Sequence, residues 1–240
     1  MLGSHSVAGM IQAKNLTKLY GDLPAVQNVS LEVAAGEFLG LLGRNGAGKT
    51  TLLKLLALLT RPSLGTLRIA GVDQAADGNA ARRRMGLLGH NSFLYDDLTA
   101  EENLLFYANL YGVPDARRAC RDMLETVGLA PFARELVRNF SRGMRQRLTI
   151  GRLFLHDPAL LLLDEPFTGL DDRATALLER LLREAHRQGK TIVLCTHQLE
   201  FALKLADRLL ILERGKVAYL GPNRPDQPDE MRNLYLQFAG

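Results

Sequence analysis

The eight residues "GRNGAGKT", Gly43–Thr50, constrain this chain more than any other segment. They fit the pattern G-x-x-x-x-G-K-[ST], they follow the apolar run "FLGLL", and they open a run typical of a helix, "TLLKLLALL". A glycine-rich loop between a strand and a helix turns its backbone N–H groups around phosphate oxygens, and the helix N-terminus favours the same negative charge. The alternative is a glycine-rich turn that binds no ligand, and the strand–loop–helix context argues against it.

This phosphate loop (Gly43–Thr50) predicts distinct roles for its polar residues. Lys49 would reach the β- and γ-phosphates of a nucleotide, and Thr50 would ligate Mg²⁺. The residues expected to line the phosphates are Gly43, Asn45, Gly46, Ala47, Gly48, Lys49, Thr50 and Thr51. A phosphate loop alone is compatible with a GTPase, a kinase or an ATPase, so the rest of the chain has to decide.

Around the phosphate loop, the chain alternates between strand and helix patterns. Short apolar runs punctuated by glycine and proline predict strands in residues 11–42, and "ALLLLDE" and "KTIVLCTH" predict buried strands between helices. Buried strands between helices indicate a parallel sheet covered on both faces. Residues 99–154 instead have helical periodicity, with a capping box at Thr99 and Glu102 and a stop at Gly112. This pattern predicts a helical insertion in an α/β domain.

Further elements are expected in the insertion and near the end of the chain. "DARRACRDMLETVG" is typical of an amphipathic helix that stops at Gly128, "PFARELV" of a short helix, and another helix begins near Ser141. "DRLLILERGKVAYLG" predicts a hairpin that turns at Arg214–Gly215.

Composition narrows the class of protein. The chain has 240 residues and 47% apolar content, which fits one large α/β domain. Its net charge of +4 is too small to indicate a nucleic-acid binder. Cys120 and Cys195 lack metal-site spacing, so we expect both to be reduced and buried in a cytosolic protein. No apolar stretch approaches the ~18 residues of a membrane span. Residues 1–9 lack the pattern of a signal peptide and are expected to be disordered or foreign to the native chain.

Asp164 and Glu165 form a second candidate site. "LLLLDEP" places both at the end of a buried strand, and ligands of open α/β sheets gather at the carboxyl ends of strands. Asp164 is suited to hold Mg²⁺ through its water shell, and Glu165 to deprotonate a water that attacks a γ-phosphate. This pair favours ATP hydrolysis over transfer to a substrate, and the chain lacks an obvious N-K-x-D sequence for guanine. Carboxylates that only cap a turn are the alternative.

The segment "SRGMRQR", Ser141–Arg147, completes an order of motifs: phosphate loop, helical insertion, "SRGMRQR", "LLLLDEPFTGLD" and "CTH". From about Ile11 onward, this order resembles the nucleotide-binding domain of an ATP-binding cassette (ABC) protein. Ser141–Arg147 is similar to the signature of that family, usually LSGGQ, although Arg142 replaces the first glycine and Met144 the second residue after it. A solvated basic helix face is the alternative, and a nucleic-acid patch is disfavoured because no aromatic residues interleave with the arginines.

The resemblance implies a composite site. A signature at a helix N-terminus caps the γ-phosphate of ATP held by a second domain, so Ser141 and Gly143 would donate hydrogen bonds to the nucleotide of a partner. Serine before a helix is also a typical N-cap, beside N–H groups that favour anions. The resemblance further implies that Tyr20 stacks on adenine, that His197 contacts the γ-phosphate, and that Asp171 lies in a loop that communicates between the domains. A tyrosine packed in the core and an ordinary strand-end histidine are the alternatives.

His90 departs from the family pattern. The family normally has a glutamine after "MGLLG", where this chain has histidine. Histidine is a poor direct ligand for Mg²⁺, so we expect His90 to contact a metal-bound water or a phosphate. The surrounding residues 89–113 resemble the ATPase subunit of the haem exporter of cytochrome c maturation, where a Gly-His pair is familiar. "SRGMRQRL" is shared with that group and with multidrug and polysaccharide exporters.

The fold that the resemblance implies is α/β: a P-loop NTPase core with a mixed or parallel sheet, an N-terminal antiparallel β subdomain and an inserted helical subdomain. Residues 10–240 would form one nucleotide-binding domain. The ATPase core would take 10–90 and 156–240, and the helical insertion with the signature would take 91–155.

The implied function is that of an ATPase that uses ATP and Mg²⁺ to power a membrane exporter. The first expectation is an exporter similar to the haem exporter, and the alternative is a multidrug or polysaccharide exporter. The partners would be polytopic permease subunits and a second nucleotide-binding domain, in a homodimer that sandwiches ATP at the cytoplasmic face of the inner or plasma membrane. No nucleic-acid partner is expected. A soluble ABC ATPase of translation or DNA repair is disfavoured by the single cassette and short insertion, and a regulatory module without turnover by Glu165.

Overall fold

Strands and helices alternate along the chain in the computed structural model, which describes residues 9–73, 78–89 and 91–239. The strands are β1 (Gly9–Tyr20), β2 (Leu23–Ala34), β3 (Phe38–Leu42), β4 (Leu64–Ile69), β5 (Val72–Asp73), β6 (Met85–Leu88), β7 (Leu160–Asp164), β8 (Thr191–Cys195), β9 (Arg208–Glu213) and β10 (Lys216–Pro222). The helices are α1 (Lys49–Leu56), α2 (Gly78–Arg82), α3 (Ala100–Tyr111), α4 (Ala116–Thr126), α5 (Arg142–Phe154), α6 (Asp172–Arg187), α7 (Leu199–Leu205) and α8 (Pro228–Ala239). The expectations for residues 1–8 and for His90 fall outside the described residues.

A six-stranded sheet of order β10-β9-β3-β8-β7-β6 forms the centre of the described fold. Strands β9, β3, β8, β7 and β6 run parallel, and β10 joins them antiparallel through the predicted hairpin. Leu161 and Leu163 of β7 pack into one apolar cluster, whereas Leu160 and Leu162 pack into another. Because side chains alternate along a strand, both faces of the sheet are covered, as the apolar strands predicted.

The second sheet, β2-β1-β4-β5, is antiparallel throughout. Its buried residues, among them Ile11, Leu31 and Leu67, share an apolar cluster with α1 and with one face of the central sheet. This is the expected N-terminal antiparallel sheet. β1 begins at Gly9, which therefore belongs to a strand rather than to a disordered segment of residues 1–9.

Helices α3, α4 and α5 lie between β6 and β7. Helix α3 has the predicted capping box, in which the Thr99 hydroxyl accepts from the Glu102 N–H and the Glu102 carboxylate accepts from the Thr99 N–H at 2.8 Å. Gly112 ends the helix with φ 68°, as expected of a glycine stop.

The prediction of a short helix at "PFARELV" is wrong. Two 3-10 turns, Ala130–Phe132 and Val137–Asn139, stand there instead. The carbonyl groups of Ala133 and Glu135 accept hydrogen bonds from the first N–H groups of α3, and Leu136 is extended. These carbonyl groups bond to the start of α3, so they are not available for the hydrogen bonds of a continuous helix.

Helix α8 is an element that the sequence reasoning missed. Met231 is buried, and Leu234, Tyr235 and Phe238 pack against the same apolar cluster. Their spacing of three and four residues is that of one helical face, and a proline with acidic residues in the first turn is typical of a helix start. The pattern was therefore readable from the sequence.

Both cysteines are free and buried, as expected. Within the described parts of the chain, no helix combines the length and the apolar character that crossing a membrane requires.

Neither thiol should react in the folded protein. Burial raises the pKa of the Cys120 thiol to about 11, and burial together with the Asp164 carboxylate raises the pKa of the Cys195 thiol. Because the thiolate is the nucleophile, we expect dithiobis-nitrobenzoate at pH 8 to titrate no thiol in the native protein and both thiols in guanidinium chloride. Rapid titration of a thiol in the native protein would contradict this packing.

Candidate active site

The phosphate loop connects the carboxyl end of β3 to the N-terminus of α1. Gly43 has φ 148°, and a Cβ there would lie 2.5 Å from the carbonyl oxygen of Leu212. Gly48 has φ 99°, and a Cβ there would lie 2.3 Å from the carbonyl oxygen of Ala25. The loop is thus wedged between β2 and β9, where only glycine fits. Gly48 also caps α1 without a side-chain hydrogen bond, so no side-chain acceptor competes with an anion at this helix N-terminus.

A cavity of about 280 Å³ lies over the loop, lined by residues 44–51, Ala25 and Glu165. Gly43 is the one residue of the expected phosphate-binding set that does not line it. The buried Lys49 ammonium donates to the carbonyl oxygens of Gly43 at 2.7 Å and Arg44 at 3.0 Å. The loop therefore holds a positive charge at the base of a cavity with glycine walls, which suits a chain of phosphates.

Thr50 and Asp164 bring two oxygen atoms together beside this cavity. Thr50 Oγ1 donates to Asp164 Oδ1 at 3.3 Å, and Asp164 is the buried last residue of β7. Oxygen ligands are those that Mg²⁺ prefers, and Mg²⁺ usually takes one or two from the protein and keeps several waters. The described residues contain no group of three or more His, Cys, Asp or Glu side chains that could hold a metal. A cation here would therefore complete its shell with phosphate oxygens and water.

Glu165 is fixed by two residues that follow β8. Its N–H donates to the carbonyl oxygen of Cys195 at 2.8 Å, and its backbone is left-handed, with φ 50°. The Thr196 hydroxyl donates to Oε2 at 3.2 Å, and His197 Nδ1 lies 2.9 Å from Oε1. Since an ionised carboxylate only accepts, Nδ1 is the ring nitrogen that donates to Glu165. The structure thus joins Glu165 to His197, and it adds Thr196, which sequence reasoning missed although it stands inside "CTH".

The signature segment (Ser141–Arg147) opens α5. The Ser141 hydroxyl accepts from the Met144 N–H at 3.2 Å, which makes Ser141 the predicted N-cap. A Cβ on Gly143 would lie 2.6 Å from Asp171 Oδ2, so Gly143 and Asp171 are close neighbours. Asp171 itself caps α6 by accepting from the Ala174 N–H at 2.7 Å. Of the described residues that line the phosphate-loop cavity, none belongs to the signature segment.

Three arginines of α5 have structural partners. Arg145 forms an ion pair with Asp96, and Arg147 donates to the carbonyl oxygens of Val127 and Gly128 at 3.0 Å. Arg152 is buried, with its guanidinium 5.2 Å from the centre of the Tyr107 ring, and burial lowers its pKa. These contacts argue against a purely solvated basic face.

Tyr20 stands exposed at the end of β1, with 52% of its surface accessible and Lys18 Nζ 5.4 Å from its ring centre. It pairs with Leu23 across the hairpin, two residues before Ala25, which lines the phosphate-loop cavity. The ring is thus not packed in the core, and Tyr20 itself does not line the phosphate-loop cavity. Gly89, the residue before His90, lines a second cavity of about 520 Å³ together with Asp164 and Glu165.

A comparison with protein families agrees with this geometry. The family model described as "ABC transporter" matches residues 26–168, a range that contains the phosphate loop, the signature segment and both carboxylates. The chain belongs to the ABC transporter family. It is an ATPase, and its fold is the α/β P-loop NTPase fold that the motifs implied.

Curated ABC relatives cover most of the chain. The ABC transporter ATP-binding protein NatA of Bacillus subtilis is 37% identical over 82% of this chain and 81% of its own length. The Nod factor export ATP-binding protein I of Cupriavidus metallidurans is 41% identical over 88% of this chain and 70% of its own length. The daunorubicin resistance ATP-binding protein DrrA3 of Streptomyces coeruleorubidus is 40% identical over 83% of this chain and 64% of its own length.

Solved ABC structures superimpose closely. An ATP-binding subunit of an ABC transporter has a TM-score of 0.87 at 31% identity and covers 95% of this chain and 99% of that chain. The ATP-binding cassette MJ0796, in a dimeric post-hydrolysis state with ADP and Pi, has a TM-score of 0.82 at 28% identity, over 90% of this chain and 99% of its own.

Replacement of Lys49 by alanine should abolish ATP binding. The variant loses the cation at the base of the cavity and the two hydrogen bonds that tie the amine to the loop carbonyls. Isothermal titration of the isolated chain with ATP measures this, and Lys54→Ala, which removes an exposed lysine of the same helix, is the control. Micromolar ATP affinity in Lys49→Ala would contradict the assignment of the loop.

Proposed function

We propose that this chain is the ATP-hydrolysing subunit that powers a membrane exporter. The observation that carries the proposal is the carboxylate of Glu165, which lines the phosphate-loop cavity and is held there by Thr196 and His197. A carboxylate fixed beside bound phosphates can accept a proton from a water that attacks the γ-phosphate. Its left-handed backbone is the kind of local strain that proteins retain at functional positions.

The other residues of the site have separate binding roles. Lys49 would hold the β- and γ-phosphates, and Thr50 and Asp164, whose side-chain oxygens lie together, would hold Mg²⁺. When bound, Mg²⁺ neutralises charge on the β- and γ-phosphate oxygens. His197 contacts the γ-phosphate with its half-exposed ring while Nδ1 orients Glu165. The exposed ring of Tyr20 stacks on adenine, a contact of the kind worth ~1–3 kcal/mol per base.

The complete site needs a second copy of the chain. Ser141 and Gly143 lie outside their own phosphate-loop cavity, at the N-terminus of α5, where free N–H groups favour an anion. We propose that they cap the γ-phosphate held by a partner, in a head-to-tail homodimer that encloses ATP. Asp171 contacts Gly143 closely enough to relay movement between the two sites. The dimeric state of the related cassette MJ0796 supports this arrangement.

The proposed partner is a polytopic permease at the cytoplasmic face of the membrane. The relatives described as Nod factor export and daunorubicin resistance ATP-binding proteins support an exporter, with a drug such as daunorubicin as a candidate substrate. In this proposal, the helical insertion of residues 91–155 and the ATPase core of 10–90 and 156–240 are parts of one nucleotide-binding domain.

Haem export is the second candidate. Residues 89–113 resemble the ATPase subunit of the haem exporter of cytochrome c maturation, and the Gly-His pair at Gly89 and His90 favours that reading. His90 would contact a metal-bound water through one ring nitrogen, since imidazole can accept one hydrogen bond and donate another.

Glu165→Gln should keep ATP binding and slow hydrolysis by ~10²–10⁴, which is the usual contribution of a general base. The amide retains the size of the side chain but no longer takes the proton, so ATP stays uncleaved between two copies. Steady-state ATPase rates and sizing chromatography with ATP and Mg²⁺ measure both effects, with Glu184→Gln on the exposed face of α6 as the control. A variant that binds ATP yet remains monomeric would argue against the composite site.

The substrate class is tested with the membrane partner. The tagged chain should co-purify from native membranes with a polytopic protein, and the pair in lipid nanodiscs should hydrolyse ATP faster when daunorubicin is added. Stimulation by haemin and not by daunorubicin would favour the second candidate. Recovery of ribosomes or DNA-repair proteins, with no membrane protein, would instead indicate a soluble ABC ATPase.

A further inference from the structure

A cavity of about 430 Å³ lies away from the phosphate loop, where the end of α4 meets α5 and α6. Three arginines line it: Arg147 from α5, and Arg173 and Arg180 from α6. Glu125 is the one acidic residue of the described lining, and Gly128 and Leu177 form part of its wall. The volume is within the range of small-molecule sites, roughly 300–1,000 Å³.

The positive charges in this basic pocket (Arg147, Arg173, Arg180) are not balanced by ion pairs. Among the residues that the structure describes, no carboxylate lies within 4.0 Å of any of the three guanidinium groups. Burial and the nearby charge of Arg173 lower the pKa of Arg147, and Asp171 acts in the opposite direction. Arg147 is half-buried, whereas Arg173 and Arg180 are exposed at the rim of the cavity. Like charges gathered around one cavity favour a bound anion.

Two of the guanidinium groups are positioned at one point. Arg147 Nη1 donates to the carbonyl oxygens of Val127 and Gly128 at 3.0 Å, which fixes its side chain at the end of α4. A Cβ built on Gly128 would lie 3.3 Å both from Arg147 Nη1 and from Arg173 Nη2. Gly128 thus brings guanidinium groups from two helices side by side, and a larger residue would crowd them.

We propose that this basic pocket binds a small anion that carries one or two phosphate groups. Guanidinium is planar and always charged, and its paired N–H donors match phosphate oxygens in a bidentate geometry. Three such groups around one small cavity provide more donors than a single carboxylate needs. The cavity is closed on one side by Leu177 and the end of α4, which suits a small molecule better than an extended acidic peptide.

The pocket lies close to two elements of the composite site. Arg147 is the last residue of the signature segment, and Arg173 follows the α6 cap Asp171 by two residues. A bound anion would therefore tie α4 and α5 to α6 through charge-assisted hydrogen bonds. Its occupancy would limit movement of the signature segment relative to the catalytic core and so regulate ATP turnover.

The test uses pyrophosphate as the probe and the Lys49→Ala variant as the background, because that variant removes the competing phosphate-loop site. Arg173→Gln with Arg180→Gln removes two charges from the basic pocket and spares Arg147, which supports α4. Arg183→Gln with Arg187→Gln removes two exposed charges from the same helix outside the pocket and is the matched control. Isothermal titration gives the affinities, and the arginine Nε–H signals in NMR spectra locate the binding.

We expect pyrophosphate to bind the Lys49→Ala background and the control with equal affinity. The pocket variant loses two charged donors and should bind at least about 10-fold more weakly, since losing even one charge-assisted hydrogen bond usually weakens binding by about 10- to 100-fold. The Nε–H signals of Arg147, Arg173 and Arg180 should shift in the background and those of Arg183 should not. Equal affinities for pocket variant and control would overturn the proposal and indicate non-specific attraction. Binding of a glutamate-rich peptide without any binding of pyrophosphate would overturn it in favour of a protein partner.

Discussion

The hydrogen-bonded register of β3, β8 and β7 determines where every reactive side chain of the cavity lies. Asp164 pairs with Cys195 at the carboxyl end of β7 and β8, and the Glu165 N–H then donates to the Cys195 carbonyl. On the other side of β8, the Thr196 N–H donates to the carbonyl oxygen of Leu41, in the strand that runs into the phosphate loop. Three loops therefore leave the sheet at one edge. A slip of one residue in this register would turn the Asp164 side chain to the opposite face.

The phosphate loop and the signature segment both lie at a helix N-terminus, but they differ in how that end is capped and charged. Both contain a helix N-terminus, which favours an anion, but Gly48 caps α1 without a side chain, whereas the Ser141 hydroxyl caps α5. The phosphate loop has Lys49 to balance phosphate charge in its own cavity. Two of the arginines of the signature segment are engaged elsewhere, Arg145 with Asp96 and Arg147 with the end of α4. The phosphate loop is therefore suited to hold a nucleotide in its own cavity, and the signature segment is suited to complete a site that lies elsewhere.

Local structure could be predicted from the sequence where it depends only on the residues of the same segment. The glycines of the phosphate loop, the capping box at Thr99 and the unbroken apolar run of β7 each follow from local chemistry, so their structures could be predicted. The two 3-10 turns could not, because hydrogen bonds from the distant start of α3 decide the conformation of that segment. The same holds for Thr196, whose hydroxyl has a role only once β7 and β8 are paired.

In the proposed dimer each ATP site is built from two chains, and mixing two inactive variants distinguishes this arrangement from a site within one chain. Lys49→Ala damages the phosphate loop, and Ser141→Arg damages the signature segment with charge and bulk. In a head-to-tail dimer of one copy of each, one site combines both defects and the other combines an intact loop with an intact signature. The account predicts that each variant alone is inactive, and that ATPase activity returns on mixing with a maximum near equimolar ratio. No recovery at any ratio, with both variants folded, would show that Ser141 serves the nucleotide of its own chain and would contradict the account.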